Sequence, residues 1–189
     1  MFNIDNGFLS ATKQIPSPNC DDRLHPLDIS LLVIHSISLP PGEFANGNIE
    51  KLFTNQLDAT AHPYFATILP LSVSAHVLID RDGQLTQFVS FNKRAWHAGQ
   101  SVFQGRSACN DYSIGVELEG EDNTAYTEKQ YRTAAQLALS LMQHYQGITA
   151  DRIVGHHDIA PTRKTDPGPA FDWNYFRALL QPPINRELS

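Results

Sequence analysis

The stretch Ile29-Ser30-Leu31-Leu32-Val33-Ile34 is almost entirely apolar, is rich in branched side chains and leads directly into His35. An apolar run of this length without alternation is typical of a strand that is buried on both faces of a sheet. We therefore predict a buried strand that ends at His35. The fold class then depends on the elements that surround this strand.

Three further segments carry strand patterns. Residues 75–81 and 84–90 flank Asp82-Gly83, a dipeptide typical of a type I′ turn, and together they predict a β-hairpin. Residues 113–119 alternate between apolar and polar positions, so one face of that strand is expected to meet the core and the other to be polar. Ile153-Val154 predicts one more short strand.

Helix signals separate these strands. Residues 49–57 have apolar side chains at helical spacing, and Thr127 begins a long helix with a capping box to Gln130. A last amphipathic helix is expected from about residue 172 to 180, whereas the first 28 residues and residues 155–170 are predicted to be irregular. Strands mixed with helices predict an α/β fold with a mixed central β-sheet flanked by helices. We expect one domain over residues 1–189, with a core at about 29–180, an irregular N-terminal segment and a short C-terminal tail.

The composition limits the class of protein. A chain of 189 residues that is 41% hydrophobic can bury one sizeable core, and its net charge of −6 argues against binding to nucleic acid or to anionic lipid. No apolar run approaches the roughly 20 residues that cross a bilayer, and no signal segment is recognisable, so we expect a cytoplasmic protein. Cys20 and Cys109 are too few for a disulfide framework and lack the paired spacing of a thiolate zinc site.

Eight histidines are the candidates for chemistry, because they lie among apolar strands and in a Pro-rich loop. A catalytic zinc site needs neutral imidazoles and a carboxylate or thiolate from separate rigid segments, with one position left for water. His35 supplies one imidazole, and either His156 or His157 supplies a second. Asp158 or Asp166 supplies the carboxylate, and the residues by themselves leave both choices open.

Seven stretches match one known family when they are taken together: residues 31–35 (LLVIH), 39–44 (LPPGEF), 74–76 (SAH), 81–83 (RDG), 93–99 (KRAWHAG), 109–120 (CNDYSIGVELEG) and 163–173 (RKTDPGPAFDW). With them the chain resembles the zinc-dependent N-acetylmuramoyl-L-alanine amidases, in particular those that act on 1,6-anhydro-N-acetylmuramyl peptides. The resemblance runs from about residue 7 to 180. The wider family includes phage lysozyme-type amidases and peptidoglycan recognition proteins, which implies helices packed on a mixed sheet.

The resemblance implies one zinc ion per chain, held by His35, His156 and Asp166 with water as the fourth ligand. The family pattern Gly-His-x-Asp selects His156 and leaves His157 at the variable position. The family likewise selects Asp166, so Asp158 is expected to be either a structural residue of the loop or a residue that orients an imidazole of the site.

Amide hydrolysis also needs a group that takes up and delivers protons. Glu117 and Glu119 share one strand face, and the resemblance selects Glu117. Phage-type relatives have a tyrosine immediately before the hairpin histidine, where this chain has Ala75, and this departure favours Glu117. The resemblance also implies that Lys164 stabilises the oxyanion of the tetrahedral intermediate, although a loop lysine is more often simply solvated.

An anhydromuramyl peptide is the substrate that the resemblance implies, with cleavage between the lactyl carbonyl and L-alanine. Trp96 offers a flat apolar surface, and Arg106 could pair with a carboxylate of the stem peptide. His76 and His97 either line the cleft or are buried structural groups. The family further implies recycling of cell-wall fragments and, in species with an inducible β-lactamase, a lower inducing signal.

Two other functions fit the same fold. A non-catalytic peptidoglycan recognition module would be favoured if a metal ligand or the carboxylate were missing, but all are present. A broad amidase acting on intact cell wall would need a route out of the cell. We therefore expect a monomeric zinc amidase that binds a small muropeptide and has no nucleic-acid or membrane partner.

Overall fold

Residues 1–181 are described by a computed structural model, and the C-terminal tail predicted beyond them lies outside the described residues. The strands are β1 Ile4–Asp5, β2 Phe8–Leu9, β3 Lys13–Gln14, β4 Cys20–Asp22, β5 Leu31–Ile37, β6 Val77–Ile79, β7 Leu85–Gln87, β8 Lys93–Ala95, β9 Val102–Phe103, β10 Arg106–Ser107, β11 Ser113–Glu119 and β12 Ile153–Gly155. The α-helices are α1 Asn48–Phe53, α2 Pro63–Ile68, α3 Glu128–His144, α4 His156–Ile159 and α5 Trp173–Leu179. Within residues 1–181, none of these helices has the length and apolar character needed to span a membrane.

A six-stranded mixed sheet forms the centre of the molecule, as predicted, with the strand order β12-β5-β11-β6-β7-β3. The neighbouring strands are parallel except for β6 and β7, which form the predicted antiparallel hairpin. The apolar run becomes β5, but the strand does not end at His35. It continues to Ile37, because Ser36 and Ile37 pair with the last two residues of β11.

One face of the sheet forms the main core. Alternate residues of β5 and β11 pack there against α3 and α5, and the buried members on the two strands are Leu32, Ile34, Ile114, Val116 and Leu118. Helix α3 begins with the predicted capping box between Thr127 and Gln130. Because side chains alternate along a strand, the opposite face of the sheet carries His35 and Glu117.

The second face of β11 carries polar side chains, as predicted, but it is not open to solvent. Ser113, Gly115 and Glu119 are all buried, because the segment before β11 and the loop after β5 cover this side of the strand. The ring of His97 lies directly on Gly115, where an added Cβ would come within 2.5 Å of the imidazole. Only glycine therefore leaves room for this ring.

Three local predictions need correction. The first 28 residues contain four short strands, of which β3 joins the sheet edge and β4 pairs with β8. Residues 155–170 contain the short helix α4. The Asp82-Gly83 pair does not form a type I′ turn, which requires positive φ at both residues, because only Gly83 has one (76°). The turn starts instead at Asp80, whose carboxylate accepts hydrogen bonds from the backbone N–H groups of Asp82 and Gln84.

A buried guanidinium and imidazole lie side by side beneath β11. Arg23 donates hydrogen bonds to the carbonyl oxygens of Phe91 (3.1 Å) and Ser113 (2.7 Å), and its Nη2 lies 3.2 Å from Nε2 of His76. Burial, followed by the charge of Arg23, lowers the pKa of His76 to about 3. The Nδ1 atom of this neutral ring accepts a hydrogen bond from the backbone N–H of Gly115.

Acid should destabilise the fold through His76. The ordinary histidine pKa is about 6.5, so below that pH the unfolded chain takes up a proton that the folded ring refuses until about pH 3. The free energy of unfolding should fall by up to about 1.4 kcal/mol per pH unit for this one proton. Urea unfolding at several pH values measures the slope. His76→Asn keeps an acceptor for the backbone N–H of Gly115 but cannot titrate. The plot of its unfolding free energy against pH should therefore be shallower than that of the wild type by up to about 1.4 kcal/mol per pH unit. Equal slopes for the two proteins would contradict the assignment.

Candidate active site

Three side chains converge at the carboxyl end of the parallel strands. His35 lies in β5, His156 begins α4 immediately after β12, and Asp166 lies in the loop that follows. The Nδ1 atoms of His35 and His156 are 2.9 Å apart, and each is 3.2 Å from Oδ2 of Asp166. Both imidazoles are at least 98% buried, and the Asp166 side chain is 13% exposed.

The spacing and the charges suit a metal ion. A tetrahedral zinc ion with bonds of about 2.0–2.2 Å would hold its ligand atoms roughly 3.3–3.5 Å apart, close to the observed separations. Burial lowers the pKa of His35 to about 4, which keeps this imidazole neutral. Burial alone would raise the pKa of Asp166, but the adjacent imidazoles of His156 and His35 outweigh it and hold the pKa below its usual range. Two imidazole nitrogens and a carboxylate are therefore ready to coordinate a cation.

The neighbouring histidine and aspartate face elsewhere. His157 has a side chain that is 42% exposed, and its Nε2 lies 3.0 Å from Oδ1 of Asp158. The other carboxylate oxygen of Asp158 accepts a hydrogen bond from the backbone N–H of Gly155 (2.7 Å) and so caps α4. The structure thus brings His156 and Asp166, rather than His157 and Asp158, to His35.

Glu117 lies beside His35, because β5 and β11 are parallel and these two residues are direct partners in the register. Its Oε2 atom is buried and, among the described residues, has no hydrogen-bond partner. Burial raises the pKa of Glu117 well above its usual range, the charge of Asp166 raises it further, and Lys164 opposes both. A carboxyl group with a raised pKa and an unused oxygen can both accept and release a proton.

Glu119 has a structural role, because its carboxylate binds two backbone N–H groups. It is 4% exposed, and its two oxygens accept hydrogen bonds from the backbone N–H groups of Ala45 (2.6 Å) and Arg81 (3.2 Å). This residue therefore anchors the loop after β5 to the turn of the hairpin.

Lys164 and Arg163 follow α4 and differ in their contacts. Lys164 is partly buried and lines the same cavity as His35 and Glu117. Arg163 donates hydrogen bonds from Nη2 to the carbonyl oxygens of Ala98 (2.6 Å) and Gln100 (2.9 Å). Arg163 is thus committed to the backbone, whereas the ammonium group of Lys164 can face a ligand.

A cavity of about 610 Å³ opens over these groups. Its polar side carries the converging residues, and its other side is formed by apolar and aromatic residues, which include Leu39, Tyr64, Leu71 and Trp96. This volume falls within the range of small-ligand sites, which is about 300–1,000 Å³. Trp96 is therefore placed where a ligand would meet it.

Arg106 is not part of this cavity. Its guanidinium lies 2.6 Å from Oδ2 of Asp28 and 3.8 Å from the ring centroid of Tyr112. The sequence-based expectation of a contact with a substrate carboxylate therefore lacks geometric support. The separation arises because β9 and β10 form their own hairpin, which no local pattern had indicated.

Tyr64 and the helix α2 that carries it were not predicted from the sequence. The signal was present, because His62 caps the first turn and Pro63 occupies the first helical position, where proline is favoured. The sequence also left the role of His97 open. This residue lines the cavity and contacts His35 directly, a contact between distant segments that spacing along the chain does not reveal.

The arrangement defines a class of protein: a hydrolase with a His/His/Asp metal site and an adjacent carboxyl group. A family described as N-acetylmuramoyl-L-alanine amidase matches residues 25–169. The 1,6-anhydro-N-acetylmuramyl-L-alanine amidase AmpD of Citrobacter freundii is 53% identical over 186 residues, which cover 98% of this chain and 99% of that protein. The chain therefore belongs to the N-acetylmuramoyl-L-alanine amidase family, as the resemblance predicted.

Solved structures agree with this assignment. A crystal structure of a selenomethionine AmpD derivative superimposes with a TM-score of 0.92 at 54% identity, covering 95% of this chain and 99% of its own. The Escherichia coli amidase AmiD, in complex with the substrate anhydro-N-acetylmuramic acid-L-Ala-D-gamma-Glu-L-Lys, gives a TM-score of 0.58 at 26% identity. That comparison covers 94% of this chain and 65% of the AmiD chain. The predicted fold class is thereby confirmed.

Replacing His156 by alanine should abolish tight metal binding, because it removes one of three converging ligand atoms. His157→Ala should leave binding largely intact, since that ring pairs with Asp158 and touches only the backbone carbonyl of Asp166, and contributes no atom to the ligand cluster. Elemental analysis of both purified variants after equilibration with zinc and gel filtration gives the metal content per chain. Loss of zinc from His157→Ala with retention by His156→Ala would overturn the ligand assignment.

Proposed function

We propose that this protein hydrolyses the amide bond between the lactyl group of 1,6-anhydro-N-acetylmuramic acid and L-alanine, with zinc as its metal. The observation that carries the proposal is the convergence of His35, His156 and Asp166 beside the unpartnered oxygen of Glu117, at one end of the cavity. The named activity of relatives that are 53–54% identical over nearly the whole chain supports the choice of substrate.

His35, His156 and Asp166 would hold the ion. When bound, zinc supplies Lewis-acid chemistry, which polarises a carbonyl and makes water more acidic. The protein keeps both imidazoles buried, and exclusion of solvent lowers the pKa of His35 to about 4, so no proton has to leave His35 before the ion enters. Glycine at position 155 lets the loop close, because a Cβ there would meet Pro167 at 2.8 Å.

Glu117 would carry the proton from the attacking water to the departing nitrogen. The group has to accept one proton and then release it, which requires a pKa near the working pH. Burial raises the pKa of Glu117, and the positive charge of Lys164 opposes that rise. The unpartnered Oε2 leaves one carboxyl oxygen free for this exchange.

Lys164 would stabilise the negative charge that develops on the carbonyl oxygen as water adds. A fixed ammonium group in a partly desolvated cleft is effective in this role, since it needs no reorganisation when the charge appears. Its place in the cavity lining, two residues before Asp166 in the sequence, supports the assignment.

The aromatic side of the cavity would receive the sugar and the first residues of the stem peptide. Trp96 and Tyr64 offer flat surfaces of the kind that pack against sugar rings. Glu119 fixes the loop that carries Leu39, and this loop forms part of the same wall. On the family resemblance we place the reaction in the cytoplasm and take the protein to be a monomer, which cell fractionation and analytical ultracentrifugation would test.

The proposed activity is tested with the zinc-loaded protein, an anhydromuramyl tripeptide and its non-anhydro counterpart. We expect release of free tripeptide, faster from the anhydro sugar, and loss of turnover after chelation that zinc restores. Tight binding of either compound without release of peptide would contradict the proposal and would favour a recognition module.

Glu117→Gln should keep the fold and the metal while the rate falls by roughly 10² to 10⁴, the usual value of positioned proton transfer. Glu119→Gln is the matched control on the same strand. Its new amide NH2 would face a backbone N–H, so the free energy of unfolding should fall by about 1–3 kcal/mol while the folded protein keeps most of its rate. Equal rates for the two variants would mean that the wrong carboxyl group was chosen.

Lys164→Met should retain zinc and substrate affinity while turnover falls by roughly 10² to 10³, the cost of removing one oxyanion donor. Arg163→Met is a poor control, because Arg163 holds the Ala98 and Gln100 carbonyls. Lys51→Met, at an exposed position of α1, is the better one and should be neutral. Steady-state kinetics with binding titrations separates the effects, and weak binding with normal turnover would place Lys164 on a stem carboxylate instead.

A further inference from the structure

Two consecutive residues, His97 and Ala98, contact the imidazoles of His35 and His156 on the side away from the other ligands. The Nε2 atom of His35 is 2.9 Å from Nδ1 of His97. The Nε2 atom of His156 is 3.1 Å from the carbonyl oxygen of Ala98. Each histidine therefore turns its Nδ1 toward the other ligands and its Nε2 toward the segment 97–98.

The hydrogen positions follow from the role of each nitrogen. A neutral imidazole that coordinates a metal through Nδ1 carries its hydrogen on Nε2. His35 then donates to Nδ1 of His97, which has to be an acceptor. The hydrogen of the neutral His97 ring is on Nε2, which lies 3.1 Å from the hydroxyl oxygen of Ser113 and can donate to it. In the opposite arrangement, the hydrogen of His35 would sit on Nδ1 and point into the ligand cluster.

The segment 97–98 is itself held firmly. The side-chain oxygen of Asn110 accepts hydrogen bonds from the backbone N–H groups of His97 (3.2 Å) and Ala98 (2.8 Å). The His97 ring rests on Gly115, which has no Cβ to displace it. Neither the ring nor the backbone can shift without breaking these contacts.

The carbonyl oxygen of Ala98 also accepts a hydrogen bond from Nη2 of Arg163. Because Arg163 lies three residues before Asp166, the same carbonyl links the loop of the third ligand to the support behind His156. The segment 97–98 thus contacts the surroundings of all three ligand residues, although it contributes no ligand atom itself.

We propose that His97 is a positioning residue of the metal site, which holds His35 as an Nδ1 ligand, and that Asn110 keeps the segment 97–98 in place for both histidines. The proposal rests on the proposed function, because it gives these residues the role of positioning the zinc ligands. A ligand histidine binds the metal through one ring nitrogen and carries its N–H on the other. A group that accepts a hydrogen bond from this N–H fixes the tautomer and the orientation of the ring, and its loss commonly weakens metal binding by about 10- to 100-fold.

The first test compares His97→Phe with His97→Asn. Phenylalanine keeps a ring over Gly115 but has no acceptor for His35, whereas asparagine places its Oδ1 as many bonds from Cα as Nδ1 of histidine. Zinc affinity is measured by competition with a chromogenic chelator, and the ligand geometry by the absorption spectrum of the cobalt(II) form. We expect about 10- to 100-fold weaker zinc binding and an altered cobalt spectrum for His97→Phe, with substantial recovery of both in His97→Asn.

A second pair keeps the test informative if His97→Phe does not fold. Asn110→Asp retains the oxygen that accepts both N–H groups, and Asn110→Leu removes it at similar volume. Thermal unfolding of the metal-free proteins reports folding separately from metal affinity. We expect Asn110→Leu to bind zinc more weakly than Asn110→Asp.

Two results would overturn the inference: a folded His97→Phe that binds zinc as tightly as the wild type, or equal zinc affinities for folded Asn110→Leu and Asn110→Asp. Failure of the proposed function looks different, because the wild-type protein itself would then not bind zinc or would not cleave the substrate.

Discussion

The parallel pairing of β5 with β11 is the constraint on which the rest of the site depends. In this register His35 stands opposite Glu117, and adjacent parallel strands lie about 4.8 Å apart, so a metal ligand and a proton-exchanging carboxyl group are neighbours on one sheet face. The residues that precede them in the two strands, Ile34 and Val116, are buried under α3 on the other face. A slip of one residue would expose this core and turn His35 away, so core packing itself specifies the geometry of the site.

The remaining parts of the site are brought in from loops that are themselves tied down. Asp158 caps α4 and thereby aims His156 at His35, while the Tyr126 hydroxyl donates to the Pro167 carbonyl next to Asp166. Burial lowers the pKa of His35, and a neutral imidazole binds a cation without first losing a proton. The same exclusion of solvent raises the pKa of Glu117. One physical effect therefore prepares both the metal ligands and the proton carrier.

Local sequence signals predicted the elements whose cause is local. The apolar run before His35 gave β5, and the Thr127 capping box gave the start of α3. The N-terminal strands and the burial of Glu119 were not predicted, because each depends on partners far away in the chain. The hairpin turn was misread because the carboxylate of Asp80, one step before the expected turn, organises it. The choice of His156 over its neighbour came from family resemblance alone. Its physical reason, the Asp158 cap, becomes visible only in three dimensions.

The central claim is that water is added across one particular amide, and isotope labelling tests it most directly. The zinc-loaded protein is incubated with the anhydromuramyl tripeptide in oxygen-18 water, and both products are analysed by mass spectrometry. Hydrolysis at the lactyl amide predicts one labelled oxygen in the lactyl carboxylate of the sugar product and none in the released peptide. Label in a peptide carboxylate would show that another bond is cut, and an unchanged substrate would show that the protein binds without cleaving.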